Sequence, residues 1–345
     1  MKSTLFASLT VLALSSAALG QRMLACDSSR ALYEIDMSTG AKTQFGTISS
    51  NAGVTGGLAY DEANDIMYLT STSLDSLFTL DTTSGEATLV GEYGSTLFVM
   101  HGLEYDSSTG ILYGVSQHDN GLYNIDKNTG FATLIGTSGL SSFSNLGYDS
   151  DNDVMYSTNS GSDSFYRMNR ATGGVTLIGP LNGPTNPNGL AYNRDDGRLY
   201  LVDNSTDNFY WIDVNTGAAN LIGSNGSGNL LGLVYLPAEP SGPTLRLSGS
   251  CPGSIGVHWG NATPNSTMGI LFASNTGSFT IGSGPCAGTT LGLGTQNLQL
   301  VNTVNTGTGS GQVNGNAGPG ACSGFVQLVV VDGSPCATSN VEEVP

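Results

Sequence analysis

The sequence predicts an all-β chain: a five-bladed β-propeller closed by the last strand of its repeat region, then a small β-sandwich domain. Three observations lead there. A strand-and-turn motif returns five times at near-constant spacing. A Pro-rich segment, 237–243, ends the repetition. Beyond it lie four of the five cysteines.

The chain opens with Lys2 ahead of an apolar run from Leu5 to Leu19, and the small residues Ala18 and Gly20 stand before Gln21. A basic start, a short apolar stretch and small residues at the cut make a secretory signal, expected over 1–20. The run falls short of the roughly 20 residues that cross a bilayer. Arg22 interrupts it ahead of Ala25-Cys26, which argues against a lipoprotein. The expected location is therefore secreted, extracellular or at the cell surface.

The repeat region is expected to run over 22–236. Its motif reads Leu32-Tyr33-Glu34-Ile35-Asp36 with Gly40, then Leu77-Phe78-Thr79-Leu80-Asp81 with Gly85, then Leu122-Tyr123-Asn124-Ile125-Asp126 with Gly130. Phe165 to Asn169 with Gly173, and Phe209 to Asp213 with Gly217, complete five copies. The glycines lie 45, 45, 43 and 44 residues apart. Each unit also holds a Thr-Leu-Ile-Gly type strand, a Gly57-Leu58-Ala59-Tyr60-Asp61 type strand and an aromatic-bearing strand such as Met67-Tyr68. Short runs with alternating apolar residues, bounded by Asn, Asp, Thr and Gly, are strands. In the turns, Asp accepts backbone N–H groups ahead of it and Gly takes the positive φ.

Four short strands per unit match one propeller blade. A lone blade does not fold, since ordering its backbone costs about 1–2 kcal/mol per residue. Each buried large apolar side chain returns only about 1.5–3 kcal/mol. Stacking and closure supply the missing burial.

These repeats resemble bacterial propellers with NHL- and WD40-like blades. In NHL-type propellers the Gly-Leu-Ala-Tyr-Asp kind of strand lies innermost, and the resemblance implies the same here. Met23 to Asp27 then matches a second strand with no innermost strand before it, while Leu231 to Leu236 is a spare innermost strand at the end. The last strand is expected to complete the first blade. The resemblance covers 23–236 and implies architecture, since propellers host many unrelated activities.

Pro237 to Pro243 reads as a stiff linker. From 244 to 345, Thr244 to Leu247, Ile255 to Trp259, Met268 to Phe272 and Phe325 to Val331 read as strands of a β-sandwich-like domain. Cys251, Cys286, Cys322 and Cys336 are expected to form two disulfides, with three connectivities open. Their surroundings resemble a Cys-containing C-terminal module of bacterial secreted proteins. Cys26 stands alone and is expected to be a small buried apolar residue.

Lys and Arg number 10 against 27 Asp and Glu, for a formal charge of −17. Such an acidic chain is a poor partner for nucleic acid, whose phosphates call for Lys and Arg, and for anionic lipid. An extracellular glycan, protein or small ligand is the expected partner, and a monomer the expected state.

Chemistry was sought where one repeat departs from the others. Just ahead of each innermost strand stand Gly56, His101, Ser144, Asn188 and Leu231. The expected site is a ring of these around one channel mouth. Within the strand the equivalent residues are Ala59, Glu104, Gly147, Ala191 and Val234, so Glu104 alone carries charge. His101 and Glu104 would together hold a cation or act as an acid–base pair. The alternative is a polar pair satisfied by neighbouring blades. Trp211 replaces solvent-type residues and offers a surface aromatic for a sugar or partner, or packs on the next blade. Asp149, Asp151 and Asp153 have the alternate spacing of a calcium loop, but lack its Gly and its final Glu. Turn chemistry explains them without calcium or another cofactor.

The reading is an exported, non-enzymatic ligand-binding or scaffold protein. No nucleophile elbow or zinc-type spacing is present. The rival is a metal-assisted propeller lyase, lactonase or hydrolase working at His101 and Glu104, and a third possibility is a structural surface or matrix component.

Overall fold

In a computed structural model of the chain, residues 20–94, 99–238 and 242–345 are described. The expected signal over 1–20 falls, except for Gly20, outside them. The described residues form two compact units, 20–238 and 242–345. Every regular element of more than one helical turn is a strand, and no helix among these residues is long and apolar enough to cross a membrane.

The first unit is a β-propeller of four-stranded antiparallel sheets. Strands β1 (Arg22–Asp27), β2 (Ala31–Ile35) and β3 (Lys42–Thr47) belong to the first sheet. The second holds β4 (Thr55–Asp61), β5 (Ile66–Ser71), β6 (Ser76–Leu80) and β7 (Ala87–Glu92). The third holds β8 (Met100–Asp106), β9 (Ile111–Ser116), β10 (Gly121–Ile125) and β11 (Ala132–Thr137). In the fourth are β12 (Gly147–Asp149), β13 (Val154–Asn159), β14 (Ser164–Met168) and β15 (Val175–Pro180). The fifth has β16 (Pro187–Asn193), β17 (Arg198–Asp203), β18 (Asn208–Ile212) and β19 (Ala219–Ser224). Strand β20 (Leu230–Leu236) pairs antiparallel with β1, Met23 opposite Tyr235 and Ala25 opposite Leu233. The first sheet therefore runs β20-β1-β2-β3.

Apolar clusters fill the seams between these sheets. Leu24 meets Leu58 and Phe78 between the first and second sheets. Tyr68 meets Leu103 and Leu112 between the second and third. Val115 meets Leu146 and Tyr166 between the third and fourth, and Phe165 meets Leu190 and Tyr210 between the fourth and fifth. Met23 and Ile35 of the first sheet meet Tyr200 and Phe209 of the fifth. The period-2 pattern read from the sequence thus serves a sheet packed on both faces.

The recurring glycines have a second reason besides turn geometry. Gly130 takes φ +77°, as its turn requires. Facing it is Gly91 of the neighbouring outermost strand, where a Cβ would overlap the Thr129 carbonyl oxygen. The same apposition joins Gly136 to Thr172-Gly173, Gly179 to Thr216-Gly217 and Gly223 to Thr39-Gly40.

At the far ends of the innermost strands, buried carboxylates meet cations from the next sheet. Lys127 Nζ lies 3.2 Å from Asp61 Oδ2, and Arg170 binds both Asp106 and Asp153. The side chains of Asp61 and Asp106 are 1% and 0% exposed, so removing either cation strands a buried charge.

The second unit has two main sheets around one core. One orders β21 (Thr244–Gly249), β22 (Gly253–Gly260) and β27 (Gly311–Ala317). The other orders β26 (Gln299–Asn305), β23 (Thr267–Ala273), β28 (Phe325–Val331) and β29 (Ala337–Glu343). A ribbon of β24 (Thr276–Thr280) and β25 (Thr290–Leu293) adjoins them. Leu245, Ile255 and Val257 of the first sheet pack on Met268, Ile270 and Leu328 of the second.

Both expected disulfides are present, Cys251–Cys322 and Cys286–Cys336, which selects one of the three connectivities. Cys26 is free and fully buried; its thiol donates to the Gly56 carbonyl at 3.1 Å, and burial pushes its pKa up to about 12.

Candidate functional site

The innermost strands β4, β8, β12, β16 and β20 converge on a recess of about 170 Å³, part of it open to solvent. Its wall is mostly the repeated Gly-Leu pairs, such as Gly57-Leu58 and Gly189-Leu190, and His101 and Asn145 add polar side chains. The strands approach so closely that a Cβ on Gly102 would sit 2.8 Å from the Asn145 Cα. This crowding keeps the recess narrow.

His101 lies within β8, not ahead of it, and Gly56, Asn188 and Leu231 likewise lie within β4, β16 and β20. The sequence-based boundary was late because register shifts at Thr55/Leu58, Met100/Gly102 and Pro187/Leu190 let pairing resume upstream of the Gly-Leu step. Of the five equivalent positions, His101 and Leu231 line the recess. Ser144 instead donates to the Pro187 carbonyl at 3.2 Å, bridging the fourth and fifth sheets. Asn188 turns back on the Asn186 carbonyl at 2.9 Å.

The imidazole of His101 is mostly buried. Burial lowers its pKa, favouring the neutral ring, and its Nδ1 has no hydrogen-bond partner among the described residues. Glu104 is held elsewhere. Its carboxylate accepts the Tyr105 N–H at 2.9 Å and, across the seam, the Tyr148 N–H of β12 at 3.1 Å. Burial pushes its pKa up to about 8 against those two bonds. The structure therefore does not join His101 to Glu104 by a hydrogen bond. One faces the recess, while the other ties β8 to β12.

That tie matters because β12 is only three residues long. Upstream of it, Asn145 replaces ladder bonds with its side chain. Its Nδ2 donates to Thr158 Oγ1 at 2.6 Å and its Oδ1 accepts the Thr158 N–H at 2.9 Å. Sequence reasoning passed over Asn145, although its repeat equivalents are Gly57, Gly102, Gly189 and Gly232.

The acidic hairpins also have protein partners. Asp149 Oδ1 accepts the N–H groups of Asp151 and Asn152 at 3.1 and 3.0 Å. Asp151 accepts the Tyr192 hydroxyl at 2.8 Å, and Asp153 accepts the Tyr148 hydroxyl at 2.8 Å besides binding Arg170. The three carboxylates serve separate donors, an arrangement that does not fit a shared calcium ion. Among the described residues, no three His, Cys, Asp or Glu side chains gather as metal ligands. The repeated tyrosines are the unforeseen pattern. Tyr60 and Tyr235 donate to Asp65 and Asp195 at 2.9 and 2.6 Å, so the acidic turns anchor the innermost-strand tyrosines.

Trp211 is half-buried on β18. It packs against the cluster of Met23 and Ile35, and the Arg198 guanidinium lies 5.3 Å from its ring centre.

No protein-family model and no curated protein matches the sequence. Solved structures similar to it include a chain of a nidogen/laminin complex, at 17% identity over 63% of this chain and 84% of that one, TM-score 0.46. A gluconolactonase from Xanthomonas campestris is 14% identical over 70% and 83%, TM-score 0.43. Regucalcin, a calcium-binding protein from Agrobacterium tumefaciens, is 15% identical over 71% and 83%, TM-score 0.42. At such identities the likeness says nothing of activity.

Proposed function

We propose that this chain is an exported, non-enzymatic binding or scaffold protein whose propeller has five blades in a closed ring. The observation that carries the functional reading is the separation of His101 from Glu104. The acid–base or metal-assisted alternative needs both at one centre, whereas Glu104 is engaged by two backbone N–H groups across a sheet seam. The size of the recess supports the same reading. At about 170 Å³ it is below the roughly 300–1,000 Å³ of pockets that enclose small ligands. A protein or glycan laid across the mouth, reaching His101 with one polar group, suits it better than an enclosed substrate.

Blade number and closure are supported by the pairing of β20 with β1 and by the cluster joining first and fifth sheets. Export is supported by the two disulfides, which persist in oxidising compartments. The test is a glycan array and a protein pull-down with the full chain, run beside a turnover screen on lactones and esters with added divalent cations. Saturable binding weakened by His101→Ala, without turnover, is expected. Metal-dependent turnover lost in Glu104→Gln would overturn the reading.

A further inference from the structure

The C-terminal unit treats its two sides differently. From Leu247 to Val331 the chain carries no Asp, Glu, Lys or Arg. Exposed strand edges are templates for pairing, and proteins blunt them with charge, proline, bulges or cover. The side formed by β21 and β29 is blunted. Asn340 accepts the Leu245 N–H at 2.8 Å and donates to the Leu245 carbonyl at 2.9 Å, clasping the two strands. Arg246 lies on β21, and Glu342 and Glu343 lie on β29.

The opposite side, β26 and β27, has no charge and no proline. Strand β26 is partly protected: its register shifts opposite Ile270/Leu271, and Asn302 Oδ1 accepts the Thr303 N–H at 2.8 Å. Strand β27 has neither device. It pairs with β22 in unbroken register from Gly253–Ala317 to Trp259–Gly311, and all but two of its residues are exposed. Beyond that ladder, its backbone meets no partner among the described residues. Leu300 and Val301 of β26, each 60% exposed, add apolar surface to the same side of the unit.

We propose that β27 pairs antiparallel with β27 of a second copy of this chain, continuing the β21-β22-β27 sheet across a two-fold axis. A second copy is the occupant because of charge. Two chains of −17 repel across most of their surfaces, but nothing on this edge opposes its twin. Antiparallel pairing of one strand with itself is isologous and closes as a dimer. The dimer replaces the monomer expected from composition alone.

Sedimentation velocity on the full chain tests this. The mass is expected to double as concentration rises, with little dependence on salt, and Gln312→Lys/Asn316→Lys is expected to remain monomeric. Those lysines reduce the net negative charge, so long-range repulsion cannot explain a lost dimer. A wild-type monomer throughout, or a double variant that dimerises equally, overturns the proposal. A second measurement needs no variant: hydrogen exchange at 311–317 should slow as wild-type concentration rises, and unchanged exchange would also overturn it.

Discussion

The propeller and the C-terminal unit solve one problem by different means. Each must protect sheet edges and hold short strands together. In the propeller, each sheet lends its faces to its neighbours, and the Thr-Gly turns press against glycines of the adjacent outer strands. Its charges work in the seams, as Lys127 with Asp61 and Arg170 with Asp106. The C-terminal unit has no repeat to stack. It relies on two disulfides and one core, with only Arg246, Asp332, Glu342 and Glu343 as charged side chains. Repetition supplies burial in one unit, and covalent links shrink the unfolded ensemble of the other.

The comparison breaks most visibly if closure is removed. Deleting 230–236 takes away the partner of β1 and the apolar wall shared with the fifth sheet. The expected outcome is loss of the propeller's calorimetric transition, with the C-terminal transition retained; survival of both transitions would refute the closed ring.

A smaller effect is expected from the disulfides. Their partners are 71 and 50 residues apart, for which chain entropy assigns about 4 kcal/mol each. Serine at both partners of either pair should lower the C-terminal transition by about that amount in denaturant titration, leaving the propeller transition in place. Equal loss in both units would contradict separate means of stabilisation.

The smallest effect sharpens the view of the seams. Glu104 has a folded pKa of about 8, above its ordinary value of 4.5. The fold binds its proton more tightly than the unfolded chain does, so this contribution is complete below pH about 4.5 and is lost as pH rises through about 8. Glu104→Gln keeps an acceptor oxygen without ionising. Its melting temperature should exceed wild type by a few degrees above that window, and the propeller's pH slope should flatten. An unchanged slope would place the titration elsewhere.

Much of the propeller was legible because its signals are local and repeated. The spare strand at Leu231 to Leu236 was visible by counting, and the turn glycines by their fixed spacing. The C-terminal unit was harder. Strands β26 and β27, with Gln, Asn, Thr and Gly among few apolar residues, offer weak β-propensity and little alternation. The candidate site was legible only in part. Comparing repeats singled out His101 and Glu104, yet whether two residues three apart on a strand meet depends on local register and on the neighbouring sheet. Asn145 and the Tyr–Asp pairs were discernible as positions, but not as contacts.

Sequence alone determined the periodicity, strand content and turn chemistry, because each depends on residues a few positions apart. Only the tertiary structure decided which cysteines join, what Glu104 holds, and which edge stays open. Those outcomes depend on distances between segments remote in the chain, and side-chain type does not encode such distances.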